Sequence, residues 1–134
     1  TVLVDGDDMN EPITDTARSI LDGHIMLNRR LAQQNHYPAI DVMQSISRVM
    51  SAVADKQHKY SAGQLKNVMS TYNEAADLIN IGAYKAGSNK NIDFAISKID
   101  DVNSFLLQAT DEKFTFEDIV EQLETMFPPP APAA

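Results

Sequence analysis

Apolar positions repeat in two ways along this chain, and the change falls near Met50. Before it the apolar segments are short. Thr1–Val4 is rich in β-branched residues and runs into Asp5-Gly6-Asp7-Asp8, which predicts a buried strand ending in an acidic turn. Pro12 sits where a first helical turn tolerates it, and Ile13, Ala17 and Ile20 share one face until Asp22-Gly23 stops the helix. His24–Leu27 is again strand-like. Asn28 is placed to cap a short helix through Ala32, and Asn35-His36-Tyr37-Pro38 reads as a turn or extended piece, because the residue before proline avoids the α region. Two strand-like pieces separated by a helix follow the grammar of an α/β sheet. Two strands do not make a sheet that stands alone, so residues 1–50 are expected to be the edge of a larger domain.

After Met50 the period becomes 3.6 and stays there. Leu65, Val68, Met69, Tyr72, Ala76 and Ile79 form the stripe of one long helix, which Gly82 is placed to end. Ile92, Ala95, Ile96, Ile99, Val102 and Leu106 form a second stripe. A third helix announces its start: Thr115 and Asp118 stand in capping-box relation, with Phe114 and Ile119 at the staple positions. Its expected buried face is Phe116, Ile119, Val120, Leu123 and Phe127. Three amphipathic helices with short connections predict an antiparallel bundle over 51–127. The Pro/Ala tail at 128–134 is expected to be disordered or polyproline-like. The fold class is therefore mainly α, a C-terminal helical bundle preceded by the last α/β edge of another domain.

Composition narrows the chemistry. With no cysteine among 134 residues, disulfide scaffolds and Cys-ligated metals are excluded. Apolar runs reach about four residues, far from the roughly twenty that span a bilayer. The opening TVLVDGDDMN has neither an initiator Met nor a basic, apolar signal segment, as expected of a piece cut from something longer. Charge is uneven: residues 1–67 hold eight acids and seven bases, residues 68–134 eleven acids and four bases. An acidic second half disfavours nucleic-acid phosphate and anionic lipid and suits a basic protein partner, although a merely solubilising surface has the same signature.

Motifs of autonomous catalysis are missing. Gly82-Ala83-Tyr84-Lys85-Ala86-Gly87 has the glycine spacing of a phosphate loop, but Ser88-Asn89 stands where Lys and Ser or Thr are required, and a helix precedes it instead of a strand. It reads as a helix-ending turn. His24, His36 and His58 lack metal-ligand spacing. Asp5, Asp7, Asp8 and Glu11 could hold a hard cation but lack calcium-loop spacing, and a solvated turn is the simpler reading.

The stretch from Gly6 to Met50 carries ILDGHI, NHYPAIDV and SISRVM in order and at close spacing, and DLINIGAYKAGS follows at 77–88. In these segments the chain resembles the flagellar and type III secretion export ATPases, which are similar in turn to the catalytic subunits of rotary ATP synthases. The flagellar members look closer, mainly through DLINIGAY. The resemblance implies that residues 1–50 are the C-terminal edge of a RecA-like ATPase domain. It further implies an intact protein that hydrolyses ATP with Mg in a cytoplasmic homohexamer at the inner face of the bacterial export apparatus, peripheral to the membrane at most. Its implied partners are a central stalk protein, export chaperones and the export gate, with no nucleic acid.

Residue roles come from the same resemblance. Arg48 matches the arginine finger that reaches a neighbouring subunit's nucleotide, a role suited to a planar, permanently charged fork. Pairing with a carboxylate such as Asp41 is its structural alternative. Tyr37 matches the aromatic residue that packs on adenine, with Pro38 fixing its backbone, and core packing is the alternative there. A second aromatic is expected near Phe105-Leu106-Leu107-Gln108, but Thr110 occupies its place. Asp7, Asp8 and Glu11 match a shaft-facing loop, and Asp77, Tyr84 and Lys85 a second contact turn. The phosphate loop, catalytic glutamate and Mg-organising aspartate of the family are not among these residues, so this chain by itself is expected to be inactive and to need no cofactor. A nonenzymatic helical docking module for chaperone–substrate or stalk proteins is the competing reading.

Overall fold

The computed structural model describes residues 1–130. The predicted Pro/Ala tail lies in part outside them. Helix α1 (Pro12–Ile20) begins as its sequence dictates: proline occupies the first turn, and the Glu11 carboxylate accepts the Thr14 N–H at 2.9 Å and its hydroxyl at 3.1 Å. Strand β1 (Gly23–Leu27) follows, then α2 (Arg29–Gln33), capped by the Asn28 side chain at the Arg30 N–H. Strand β2 (Ile40–Ser47) pairs antiparallel with β1, and the Asn28 N–H to Ala39 carbonyl bond of 2.8 Å closes the connection that holds α2.

One expectation for this part needs correcting, and one strand was not expected. Thr1–Val4 is no strand; Val2 and Leu3 are exposed, and the partner of β1 is Ile40–Ser47. That β2 does not show in the periodicity has its reason in the strand itself. Its register jumps from His24↔Ile46 to Met26↔Asp41, so β2 bulges and its in–out alternation is lost. Side chains fill the break in the ladder. The Ser45 hydroxyl accepts the Met26 N–H at 3.0 Å and donates to the Asp41 carbonyl at 2.6 Å, while the Asp41 carboxylate accepts the Gln44 N–H at 3.1 Å.

A four-residue turn of helix, α3 (Met50–Val53), leads into the long α4 (Lys56–Asn80), α5 (Lys90–Leu106) and α6 (Phe116–Met126), which pack on one another. Leu65 and Val68 of α4, Ala95 and Val102 of α5, and Leu123 with Phe127 form the core. The buried Ser61 hydroxyl donates to the Phe127 carbonyl at 2.8 Å, fixing the start of α4 to the end of α6. Val42 of β2 packs against the same core, so the sheet and the bundle are joined. Gly82, at φ +69°, ends α4 in a Schellman arrangement: the Ala83 N–H bonds the Leu78 carbonyl at 2.9 Å and the Gly82 N–H that of Ile79 at 3.0 Å. The stripes deviate in detail. Ala75 rather than Ala76 is buried, and Phe116, Ile119 and Ile96 stay exposed, because two neighbours cannot cover the full apolar arc of each helix.

The capping box of α6 is complete, with the Thr115 N–H to Asp118 Oδ2 at 2.9 Å and the Asp118 N–H to Thr115 Oγ1 at 3.1 Å. The Thr115 backbone N–H, aided by the threonine side chain, holds the Asp118 carboxyl below its ordinary value of 3.8. A depressed folded-state pKa contributes stability above the unfolded value that is lost as pH falls through the folded one. Asp118→Asn is therefore expected to weaken α6 at neutral pH and to flatten the acid limb of a stability–pH curve. Parallel urea titrations of parent and variant would check this; superimposable acid limbs would contradict it.

Candidate functional site

The two residues singled out for nucleotide chemistry lie beyond opposite ends of β2, an eight-residue strand that spans roughly 25 Å when extended. Arg48 follows its last residue. The Arg48 N–H bonds the Asp22 carbonyl at 2.9 Å, which extends the pairing of Gly23 with Ser47 one step past the sheet. The approach is so close that a Cβ on Gly23 would lie 2.5 Å from the Ile46 carbonyl oxygen. Gly23→Ala is thus expected to force β1 and β2 apart beside Arg48 and to lower the melting temperature by several degrees. A thermal scan decides it, since an unshifted midpoint would mean the strands do not approach this closely.

Beyond its backbone, Arg48 is lightly held. Its Nη2 donates to the Ser19 carbonyl at 3.4 Å, at the C-terminal end of α1, where helix carbonyls lack partners and a cation is favoured. The guanidinium is exposed and forms no ion pair with a described residue. Asp41, the carboxylate considered as its partner, is committed elsewhere: it accepts from Asn28 Nδ2 at 2.9 Å and from the Gln44 N–H.

Tyr37 precedes β2 through a cis bond to Pro38, and its side chain is on the surface, with 52% of the residue exposed. Core packing does not account for it. Its carbonyl accepts the Gln108 N–H at 3.0 Å, so the segment after α5 meets the turn before β2. That segment is laced by Gln108 Nε2 to the Glu112 carbonyl at 2.9 Å and by the Ala109 N–H to the Glu112 carboxylate at 2.7 Å. Thr110, where a second aromatic was expected, is an exposed residue of this same turn.

The acidic residues named from sequence fall at two separate places. Asp7 pairs with Arg29, Oδ2 to Nε at 3.0 Å and Oδ1 to Nη2 at 3.3 Å, across 22 residues that no local pattern links. Asp8 accepts the Asn10 N–H, and Glu11 caps α1, so this loop is an ordered turn in which Asp8 is less committed than Asp7 or Glu11. Asp77 and Lys85 are exposed near the end of α4, whereas the Tyr84 hydroxyl is occupied, donating to Asp93 at 2.8 Å. Asp93 also accepts the Gly87 N–H at 2.9 Å and so organises the turn, a role the sequence did not signal. Among the described residues no group of three or more His, Asp or Glu side chains gathers as a metal site. What these residues offer is a lightly held guanidinium, an exposed aromatic ring and acidic surface. Among them, too, no helix is long and apolar enough to cross a membrane.

Known proteins resemble this chain in both of its parts. Residues 54–125 match the T3SS EscN ATPase C-terminal domain, and residues 1–47 match the nucleotide-binding domain of the ATP synthase alpha/beta family. The "Flagellum-specific ATP synthase" of Bacillus subtilis is 52% identical over 94% of this chain, which spans 29% of that relative's length. The assembled ATPase EscN from the enteropathogenic E. coli type III secretion system superposes with a TM-score of 0.90 at 41% identity, over 94% of this chain and 31% of that one. A second structure, of assembled EscN in complex with its central stalk EscO, gives 0.80 at 41% identity over 86% of this chain and 28% of that one. With more than half of its length matched by the C-terminal domain and an α/β edge of ATP synthase type before it, the chain belongs to the T3SS EscN ATPase C-terminal domain family.

Proposed function

We propose that this chain is the C-terminal part of an ATPase that energises flagellar or type III protein export. In this reading residues 1–50 complete a RecA-like nucleotide-binding domain and 51–127 form the helical domain. The isolated first part supports that division by what it leaves open: Ile25 and Leu27 of β1 are 73% and 72% exposed, and Ile13 and Ile20 of α1 similarly bare, a face that the rest of such a domain would cover.

The observation that carries the functional reading is the position of Arg48. A guanidinium beyond the last residue of a strand, exposed and held by a single long contact, is free to meet phosphate oxygens that arrive from outside the subunit. Arg48 would act across the boundary between subunits of a homohexameric ring. Tyr37 would pack on the adenine of its own subunit, its backbone fixed by Pro38 on one side and Gln108 on the other. The phosphate loop, the catalytic carboxylate and the Mg-organising groups would come from residues outside this chain, which contains no GxxxxGK[ST].

The acidic bundle suits docking. A groove between α5 and α6 is lined by the apolar Phe105, Phe114 and Met126 and by Asp101, Asp118 and Glu121 against one cation, Lys98, a surface for a basic amphipathic segment such as a central stalk or an export chaperone. Exposed Asp8, Asp77 and Lys85 would add to the stalk contact, and Asp7, Glu11 and Tyr84 would hold the loops that present them. ATP hydrolysis in the ring would release export substrates from their chaperones at the export gate, in the cytoplasm. The test is Arg48→Ala in the full-length ATPase, read as turnover in assembled rings.

A further inference from the structure

Arg48 does not stand alone at the end of β2. It lines an open depression together with Asp15, Arg18 and Ser19 of α1, His24 of β1 and Gln44 of β2. Arg18 and Ser19 are consecutive, Arg48 Nη2 reaches the Ser19 carbonyl, and both arginines line the same depression. Against them stands a single carboxylate. Asp15 contacts Arg18 Nη2 at 3.4 Å, and its side chain is 68% exposed, so it is a weak, solvent-screened partner. His24 donates its Nε2–H to the Gln44 carbonyl at 2.9 Å and adds no negative charge.

The local balance is therefore positive on a chain whose net charge is −8. Like charges placed together cost energy, and this acid-rich sequence spends one carboxylate on two arginines. Each guanidinium carries five N–H donors, and among the described residues each uses one of them, at the long limit of a hydrogen bond. Spare donors on two planar forks that line one depression match an anion with several oxygens.

We propose that Arg18 is a second phosphate-facing cation, acting with Arg48 on the terminal phosphoryl group of the nucleotide held by the neighbouring subunit. This rests on the reading of Arg48 given above. Arg18 is partly enclosed, its side chain 32% exposed along the last turn of α1, and it would approach the phosphate from the helix side while Arg48 would approach from the strand. Asp15, exposed and only weakly in contact with Arg18, leaves the depression positive.

The experiment measures kcat and KM for ATP in assembled rings of the full-length ATPase for Arg18→Gln, Arg18→Lys, Asp15→Asn and Arg48→Ala. Arg18→Gln is expected to lower kcat/KM about tenfold with assembly intact, and Arg18→Lys to recover part of the loss as a point charge without the fork. Asp15→Asn is expected to stay within about twofold of the parent. Unchanged kinetics in Arg18→Gln would overturn the proposal, and so would Asp15→Asn as damaging as Arg18→Gln, which would reduce Arg18 to a partner for Asp15. Normal turnover in Arg48→Ala would instead remove the reading beneath it, so the two failures are distinguishable.

Discussion

Arg48→Ala in the full-length ATPase is expected to lower steady-state turnover about 10³- to 10⁵-fold, the range over which an arginine finger acts in other nucleotide hydrolases. The size follows from where the charge is needed. Negative charge on the transferring phosphoryl oxygens and the leaving oxygen shifts as the transition state forms, and a fixed cation in a water-poor site is worth far more there than in bulk water. The loss should fall on kcat. An interaction made chiefly in the transition state lowers kcat and kcat/KM together, while KM changes little. Arg48→Lys should recover only part, because an ammonium lacks the two-pronged geometry. Fold and assembly should survive, since the side chain is exposed and its one contact is a 3.4 Å bond to a backbone carbonyl. Phosphate-release kinetics with a sedimentation run on the same sample decide the matter, and rings that assemble and turn over at the parent rate would sink the assignment.

What the sequence made legible were features whose cause is local. Pro12 opens α1, Asn28 opens α2, Gly82 closes α4, and Thr115 with Asp118 opens α6; each depends on residues within about one turn of helix. Strand β2 was not legible. Its bulge is mended by Ser45 and Asp41 side chains, and its pairing with β1 is set by contacts about twenty residues apart. The Asp7–Arg29 and Tyr37–Gln108 contacts are non-local in the same way. The site divides along that line. Composition and periodicity gave no reason to choose Arg48 over the other three arginines; only the SISRVM resemblance did so. The structure adds the physical correlate, a guanidinium with one weak partner while Asp41 is satisfied by Asn28 and Gln44. Arg18 escaped notice because the Asp15–Arg18 spacing is that of an ordinary helical ion pair, and nothing in the sequence says that a loop thirty residues later returns to the same helix end.

Val102→Asp is expected to bring the helical part to the edge of unfolding at neutral pH. Val102 has 0% of its surface exposed and packs in α5 among Leu65, Val68, Ala95, Leu123 and Phe127. The substitution removes a buried side chain worth roughly 1.5–3 kcal/mol and leaves a carboxylate with no buried cation to pair with, at a further cost of several kcal/mol. Together these rival the roughly 5–15 kcal/mol that holds an ordinary domain folded. Val102→Ala, which opens space without adding charge, should cost only about 2 kcal/mol and keep a cooperative transition. The sign of the pH effect separates charge from packing. Burial raises the pKa of the introduced Asp above its unfolded value of about 3.9, so the folded state binds the extra proton and acid favours folding of the variant relative to the parent. The gap between the two should therefore narrow as pH falls from 7 toward 4, whereas the gap for Val102→Ala should hold constant. Circular dichroism melts at the two pH values provide the comparison. A Val102→Asp chain melting cooperatively within a few degrees of the parent would mean that the core does not close at Val102. The consequence reaches the site as well, because Val42 of β2 rests on this core and β2 carries Tyr37 before it and Arg48 after it. In the full-length protein, loss of the bundle should release the strand that sets both residues.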